Sequence, residues 1–496
     1  MDKTHVQVAR TSRLSGALFL SIAQAILLAL GYVTHILVGK IGGPSLYGVY
    51  GVVLSFLTIL NLLLTLGIPV AVSKHVAEDE ENSGGILAAG IRGQLLLAAL
   101  LSAGTLLLAR PIALLLGDPS LAPIIAFTAV IYPLTALYAL FANYFNGLHA
   151  FGIQAAIIAF YAILKLTGSV GLLFYFRVYG AMAGFGVGAA AAAVAGFFLA
   201  WPSLRDHSIR PVRALSLLSF AGAFVGTPFA LQILMSLDLF MVKGILHNNF
   251  QAGLYNAAST LSNIPYFILQ ALGFIFLPSV ARLMKHEPAR VPAFLRDIFR
   301  YLYLLILPGT VLLSMSSQQL LHLFFSRQFE PGAVPLMLLM VAMSLLAVFY
   351  LLTTIVAGTG HTRVPLVASW LLLPVSLLVG FTLIPHFGLI GAALATTTAS
   401  TVGAVVIIAY AYYQLRITLP LATFIKGLIA TVLTAIPAYF ILPIGRPFTI
   451  SVKYIFLAAF YVGCLYVLKE LRSSDWAYVH RLRPRLTKTD NEILTV

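Results

Sequence analysis

The sequence predicts an all-α polytopic membrane protein of about 14 transmembrane helices, arranged as two parallel six-helix repeats forming two lobes, plus two C-terminal helices. Composition, run length and an internal repeat predict it. Of 496 residues, 60% are hydrophobic and only 9% charged, against about 25% charged in an ordinary soluble domain. The apolar residues come in runs of about 20 to 25, the length that crosses a bilayer as helix. A transmembrane barrel is excluded, because its strands alternate over about 10 residues. Related segments recur in the same order about 205 to 212 residues apart.

The runs are read in order as follows. Run 1, 14–38, follows a polar start ending at Arg13 and is too long for a signal-peptide core, so it reads as a retained helix. Run 2, 47–73, closes near Pro69, before the acidic loop Glu78 to Glu81. Runs 3 to 6 are 86–109, 121–145, 152–175 and 179–201; runs 7 and 8 are 214–243 and 253–281. Runs 9 to 12 are 298–317, 332–357, 364–384 and 388–413, and the last two are 421–443 and 450–468. The expected division is a first lobe over 1–213, a second over 214–413, two extra helices over 414–468 and a basic cytoplasmic tail over 469–496. Connections are short, so no soluble domain is inserted. Cys464 is the only cysteine, which rules out an intramolecular disulfide and a cysteine metal site.

The net charge of +15 reads as topology, not nucleic-acid binding. With the N-terminus inside, 22 of the 30 Lys and Arg fall on inner segments and 7 on outer ones. Both termini are then cytoplasmic, in a cytoplasmic (inner) membrane. Lys40, Arg110, Arg177, Lys243, Arg327, Arg446 and Lys453 mark the outer side, and Lys165 alone belongs to neither.

The repeat is read from four matches: Gly180 with Gly388, GVY at 48–50 with GLY at 253–255, Pro69 with Pro278, and His149 with His361. Six helices per copy is an even number, so both copies enter from one side. Parallel repeats relate by an axis along the membrane normal and place a substrate path between the halves.

Polar residues within the runs suggest what lines that path. Asn256, Ser259, Asn263, Tyr266 and Gln270 of run 8 are spaced 3, 4, 3 and 4, one helix face. Run 2 has Ser55, Thr58, Asn61 and Thr65 on a similar face. Such amides and hydroxyls need protein or water partners in a bilayer. They form either a hydrogen-bonding cleft or glue between helices. In run 5, Tyr161, Lys165 and Ser169 share a face. A lysine at mid-depth costs roughly 2.5–3.5 kcal/mol on insertion scales. It suits an anionic or sugar-bearing ligand, or else pairs with a carboxylate, for which Asp238 is the candidate within the runs. Asp238 reads equally as a coupling or a structural charge. Arg92, about two turns into run 3, reads as an entry-side phosphate contact or a snorkelling arginine, and His35 as a weaker candidate.

No enzyme signature is present: neither HExxH, a P-loop, GxGxxG after a strand, nor paired carboxylates. No catalytic residue, cofactor or metal is expected.

The segments IGGPSLYGVYG, LGIPVAVSKHVAE, SLDLFMVKGILHNNFQAGLYNAAST, FLPSVAR and IPHFGLIGAALAT resemble the polysaccharide flippases of the multidrug/oligosaccharidyl-lipid/polysaccharide exporter superfamily, across nearly the whole chain. The resemblance implies two six-helix lobes in a V, two further helices, and translocation of lipid-linked glycans by alternating access. Cationic cavity residues are a family theme that Lys165 would fit. GIPVAVSK also resembles the branch of lipid II flippases associated with sporulation and peptidoglycan.

The expected function is therefore flipping of a polyprenyl-diphosphate-linked oligosaccharide across the cytoplasmic membrane. The anionic glycan lipid, membrane lipids and envelope glycan biosynthesis proteins are the expected partners, with no nucleic acid. A lipid II-type flippase, an ion-coupled small-molecule exporter and a non-transporting membrane scaffold or enzyme subunit are the alternatives. Substrate lining is assigned to Lys165, Tyr161, Arg92, Asn61, Thr65, Asn256, Asn263 and Gln270.

Overall fold

A computed structural model describes residues 13–205, 214–267, 269–270, 280, 282–283, 286–287, 291–415, 420–440 and 447–471. Among these no strand occurs. Ten helical stretches are long and apolar enough to span a membrane, so the protein is an all-helical, multi-pass membrane protein. Two of the ten, Leu18–Glu78 and Phe151–Leu204, each hold two of the predicted runs. The fourteenth run lies in the shorter helix Pro447–Val467, and the eighth extends beyond the described residues, as does Pro278.

The first half comprises α1 (Arg13–Leu66), α2 (Ile68–Glu78), α3 (Ser83–Leu115), α4 (Leu121–Thr128), α5 (Ile131–Gly147) and α6 (Phe151–Leu204). α1 and α6 are each two legs joined at one residue. In α1 that residue is Gly43, at φ 72° and ψ 175°, followed by Pro44. Glycine tolerates such a backbone and proline opens the next leg. In α6 the joint is Arg177, at φ 50° and ψ −127°.

The second half begins with α7 (Ala214–Leu246) and α8 (Asn249–Ser262). The Asn248 side chain caps α8, accepting from the Phe250 and Gln251 amides at 2.9 and 3.2 Å. After α9 (Val291–Met315) come α10 (Ser317–Phe324), a 3-10 turn (Arg327–Gly332), α11 (Ala333–Gly358), α12 (Arg363–Phe387) and α13 (Leu389–Leu415). The chain ends with α14 (Leu421–Phe440) and α15 (Pro447–Val467).

Two corners in the halves share one geometry. Gly388, between α12 and α13, has φ 55° and ψ −128°, the conformation of Arg177. A Cβ at Gly180 would strike the Leu172 carbonyl, and one at Gly391 the Leu383 carbonyl. All three pairs lie 211 residues apart, as do His149 (φ 56°) and Gly360 (φ 93°). The sequence match of Gly180 with Gly388 is thus three residues out of register, and that of His149 with His361 is one residue out. The cause is residue type: the first corner puts an arginine where the second puts the glycine.

Arg177 is exposed and sits where L-residues are strained. Arg177→Gly should therefore raise stability by about 1 kcal/mol, seen as a higher melting temperature in detergent. An unchanged or lower midpoint would show no strain at this corner.

Where α1 meets α8 the two halves touch reciprocally. A Cβ on Gly48 would strike the Asn249 carbonyl, and one on Gly253 the Pro44 carbonyl. Residues 44 and 249, like 48 and 253, are 205 apart. Contact of i with j′ and of j with i′ is what a two-fold axis produces. Two lines, Gly51 against the Asn256 side chain and Asn256 Nδ2 donating to the Tyr47 carbonyl at 3.2 Å, extend the crossing.

By packing, residues 1–288 and 316–414 form one compact unit, and 289–315 with 415–496 another. In the second unit Leu312, Ala438 and Leu457 make one core and Ala430, Tyr461 and Leu465 a second. A polar clamp closes one end. Arg300 donates through Nε to Glu470 Oε1 at 3.2 Å and through Nη2 to the Glu470 carbonyl at 2.6 Å. Thr423 donates to the same carboxylate at 2.7 Å, and Lys426 pairs with it at 3.3 Å. Burial pushes the Glu470 carboxyl up, and these donors and charges outweigh it, so it titrates below its ordinary value.

Candidate functional site

Lys165 lies on the first leg of α6, where Gly188 of the second leg passes close to its backbone. The residue is 7% exposed, and its ammonium reaches Gly31 on the first leg of α1. The ammonium sits over two rings, 5.5 Å from the Tyr161 centroid and 5.3 Å from that of Phe185. Cation–π attraction at a desolvated site contributes up to about 2 kcal/mol, so the rings offset part of the insertion cost. Tyr161 in turn stacks on Tyr138 at 4.3 Å. Ser169, read as part of the same face, donates to the Ala181 carbonyl at 2.9 Å and ties the legs together.

Asp238 is not the partner of Lys165. Its carboxylate accepts from Tyr255 Oη at 2.8 Å, Thr396 Oγ1 at 3.1 Å and the Leu239 amide at 2.7 Å. Donors from α7, α8 and α13 therefore hold it, and no basic side chain does so among the described residues. Lys243, five residues on, pairs with Asp118 at 2.7 Å.

The other candidates divide. Asn61 Oδ1 and Asn263 Oδ1 are buried with no hydrogen-bond partner among the described residues. So are Tyr32 Oη and Gln154 Oε1, two residues that the sequence reading passed over. Buried polar atoms are nearly always satisfied, and these four are among eleven buried side-chain atoms without a hydrogen-bond partner among the described residues. Tyr32 adjoins Gly31, and its ring meets Phe267 edge-on at 6.3 Å. Phe267 is one turn beyond Asn263. Gln154 precedes Lys165 by 11 residues, three helical turns on the same face; that spacing was the available signal. Phe185 gave none, because an aromatic in a Gly- and Ala-rich run reads as lipid-facing.

The remaining residues are engaged elsewhere. Asn256 serves the α1–α8 crossing. Thr65 donates to the Asn61 carbonyl of its own helix at 3.0 Å. Gln270 bonds Tyr350. Arg92 is exposed on α3 and does not join the group. His35 meets the hydroxyl of Tyr47 at 3.0 Å, and Tyr47 meets Thr260 at 3.0 Å.

The helical halves meet at a reciprocal crossing, and Lys165 has no carboxylate partner among the described residues, in an all-helical, multi-pass membrane fold. Solved structures share it. One titled "Lipid II flippase MurJ, inward closed conformation" matches with a TM-score of 0.75 and 16% identity, covering 94% of this chain and 100% of that one. An inward-facing multidrug resistance MATE family transporter of the MOP superfamily matches with a TM-score of 0.68 and 13% identity, over 81% of this chain and 98% of its own. A MOP superfamily transporter from Pyrococcus furiosus, whose title reports reversed polarity of the binding pocket, matches at 0.58 and 13%, over 84% and 99%. No curated protein matches the sequence significantly. The profile of the family described as polysaccharide biosynthesis protein matches residues 40–335, and the chain belongs to that family.

Proposed function

We propose that the protein flips a polyprenyl-diphosphate-linked oligosaccharide from the inner to the outer leaflet of the cytoplasmic membrane. The observation that carries this is a buried lysine held by two rings with no carboxylate partner among the described residues, in a chain that also buries amide oxygens without a partner among them. The lysine attracts a diphosphate, and the oxygens of Asn61, Asn263 and Gln154 accept from sugar hydroxyls. Tyr161 and Phe185 hold the ammonium. The prenyl tail stays in lipid.

In this reading both termini are cytoplasmic, the halves 1–213 and 214–413 act as lobes, and alternating access moves the headgroup without covalent chemistry. Asp238, held by hydroxyls, is a structural or coupling charge. Envelope glycan biosynthesis enzymes would supply the substrate. The likeness to the lipid II flippase MurJ favours one second reading, a peptidoglycan precursor as cargo.

Reconstitution in liposomes tests the proposal. A fluorescent polyprenyl-diphosphate oligosaccharide should gain access to an impermeant quencher when the protein is present, and a cationic dye should not move. Transport of the dye alone would overturn the anionic-substrate reading.

A further inference from the structure

Two corners of the chain face each other on the side predicted to be outer. One ends α3 at Gly117, whose φ is 65°, and runs into Asp118. The other ends α7 at His247, whose φ is 51°, and runs into the α8 cap. Gly117 lies directly against the His247 ring. Between the corners, Lys243 Nζ donates to Asp118 Oδ2 at 2.7 Å and also to Asn249 Oδ1. Asn249 Nδ2 donates to the same Asp118 oxygen at 3.2 Å.

From these contacts we infer that Asp118, Lys243 and Asn249 form a charge latch that holds the outer end of the transporter closed. Asp118 belongs to the first half, and Lys243 and Asn249 to the second, so separating the halves breaks every bond Asp118 makes across the gap. Asn249 joins the latch to the crossing, since its carbonyl lies under Gly48.

The partners are unequally wet. The Lys243 side chain is 1% exposed and that of Asp118 15%. A buried charge that loses its partner is costly, whereas a pair removed together often is not. Opening hydrates both charges at once, so the intact latch can release. Losing Asp118 alone leaves a dry ammonium, which favours the open state. Losing Lys243 alone leaves a carboxylate that water already reaches.

Acid does not work this latch in any ordinary range. Burial pushes the Asp118 carboxyl up, but bonds from Lys243, Ser120 and Asn249 outweigh it and hold it down at about 2. Its stabilisation is present above the usual carboxylate value and lost only as pH falls through about 2.

The inference rests on the orientation and two-half reading above, but its test needs no substrate. Ser259, on α8 below the crossing, is buried. Ser259→Cys in a Cys464→Ala background gives a single reporter thiol for an impermeant maleimide added outside intact cells. Asp118→Asn should label about tenfold faster than the parent, and Lys243→Met less than that. The double variant Asp118→Asn/Lys243→Met lacks the latch but strands no charge, so it should label faster than the parent and more slowly than Asp118→Asn. Parental labelling of Asp118→Asn, or a double variant at the parental rate, would overturn the latch. Should Asp118→Asn fail to reach the membrane, Asp118→Cys/Asn249→Cys bridged by a short thiol cross-linker gives the converse. Labelling at residue 259 should then fall below the parent, and an unchanged rate would overturn the latch. A negative result here, with glycan transport intact, leaves the proposed function standing.

Discussion

Lys165→Ala should insert and accumulate normally yet lose translocation of the glycan lipid by roughly a hundredfold. Removing the ammonium ends the substrate's charge contact, and it also removes the insertion cost of about 2.5–3.5 kcal/mol. Melting should therefore not suffer. Lys165→Arg should keep part of the transport, because charge survives while the planar head fits the Tyr161 and Phe185 rings differently. Phe185→Leu separates holding from binding: it should weaken transport less than Lys165→Ala. The measurement is the quenching assay at matched protein levels. Full transport by the alanine variant would make the lysine a structural accident, and the anionic substrate would lose its support.

Gly253→Ala should hold the protein away from its present conformation. A single Cβ there meets the Pro44 carbonyl, and backbone cannot yield as a flexible side chain can. Overpacking costs typically about 1–3 kcal/mol, a shift of roughly 5- to 150-fold between two states. The Ser259→Cys reporter should label faster from outside, and transport should fall. Gly48→Ala should do the same, since it strikes Asn249 from the other side of the same crossing. The two should not add, because either alone parts the helices. Wild-type transport and labelling in both variants would show that the crossing is loose enough to be irrelevant.

Helix existence was legible in the sequence because span length and apolar composition are imposed by the bilayer. Joints were less so. Gly43 and Pro44 mark theirs by residue type, but Arg177 takes a conformation that its type argues against, and this put the second register of the repeat three residues out. The first register, at 205, was read correctly from GVY and GLY because both copies place glycine where backbones touch. Within the site, Lys165 stood out because charge at mid-depth is costly. Its lack of a carboxylate did not: Asp238 was the visible partner, and only packing shows Tyr255 and Thr396 already holding it. Asp118 and Lys243 lie 125 residues apart, and no periodicity joins a loop to a distant helix end. Asn256 and Ser169 sat on the right faces, but geometry spends them on holding helices together.

The clamp between Arg300 and Glu470 has a consequence for how the chain is made. The bonded residues are separated by 170 positions. At about 5–20 residues per second, ribosomes need roughly 10 to 35 seconds to cover that interval. Helix Val291–Met315 thus leaves the translocon long before Glu470, Thr423 and Lys426 exist. During that time it meets lipid, chaperones or the insertion machinery in place of α14 and α15. Biogenesis is therefore ordered: the last two helices complete a site whose other wall has been waiting. A ribosome stalled shortly before residue 470 would leave a chain with most of its spans inserted and this seam still open, a form that quality-control proteases can recognise.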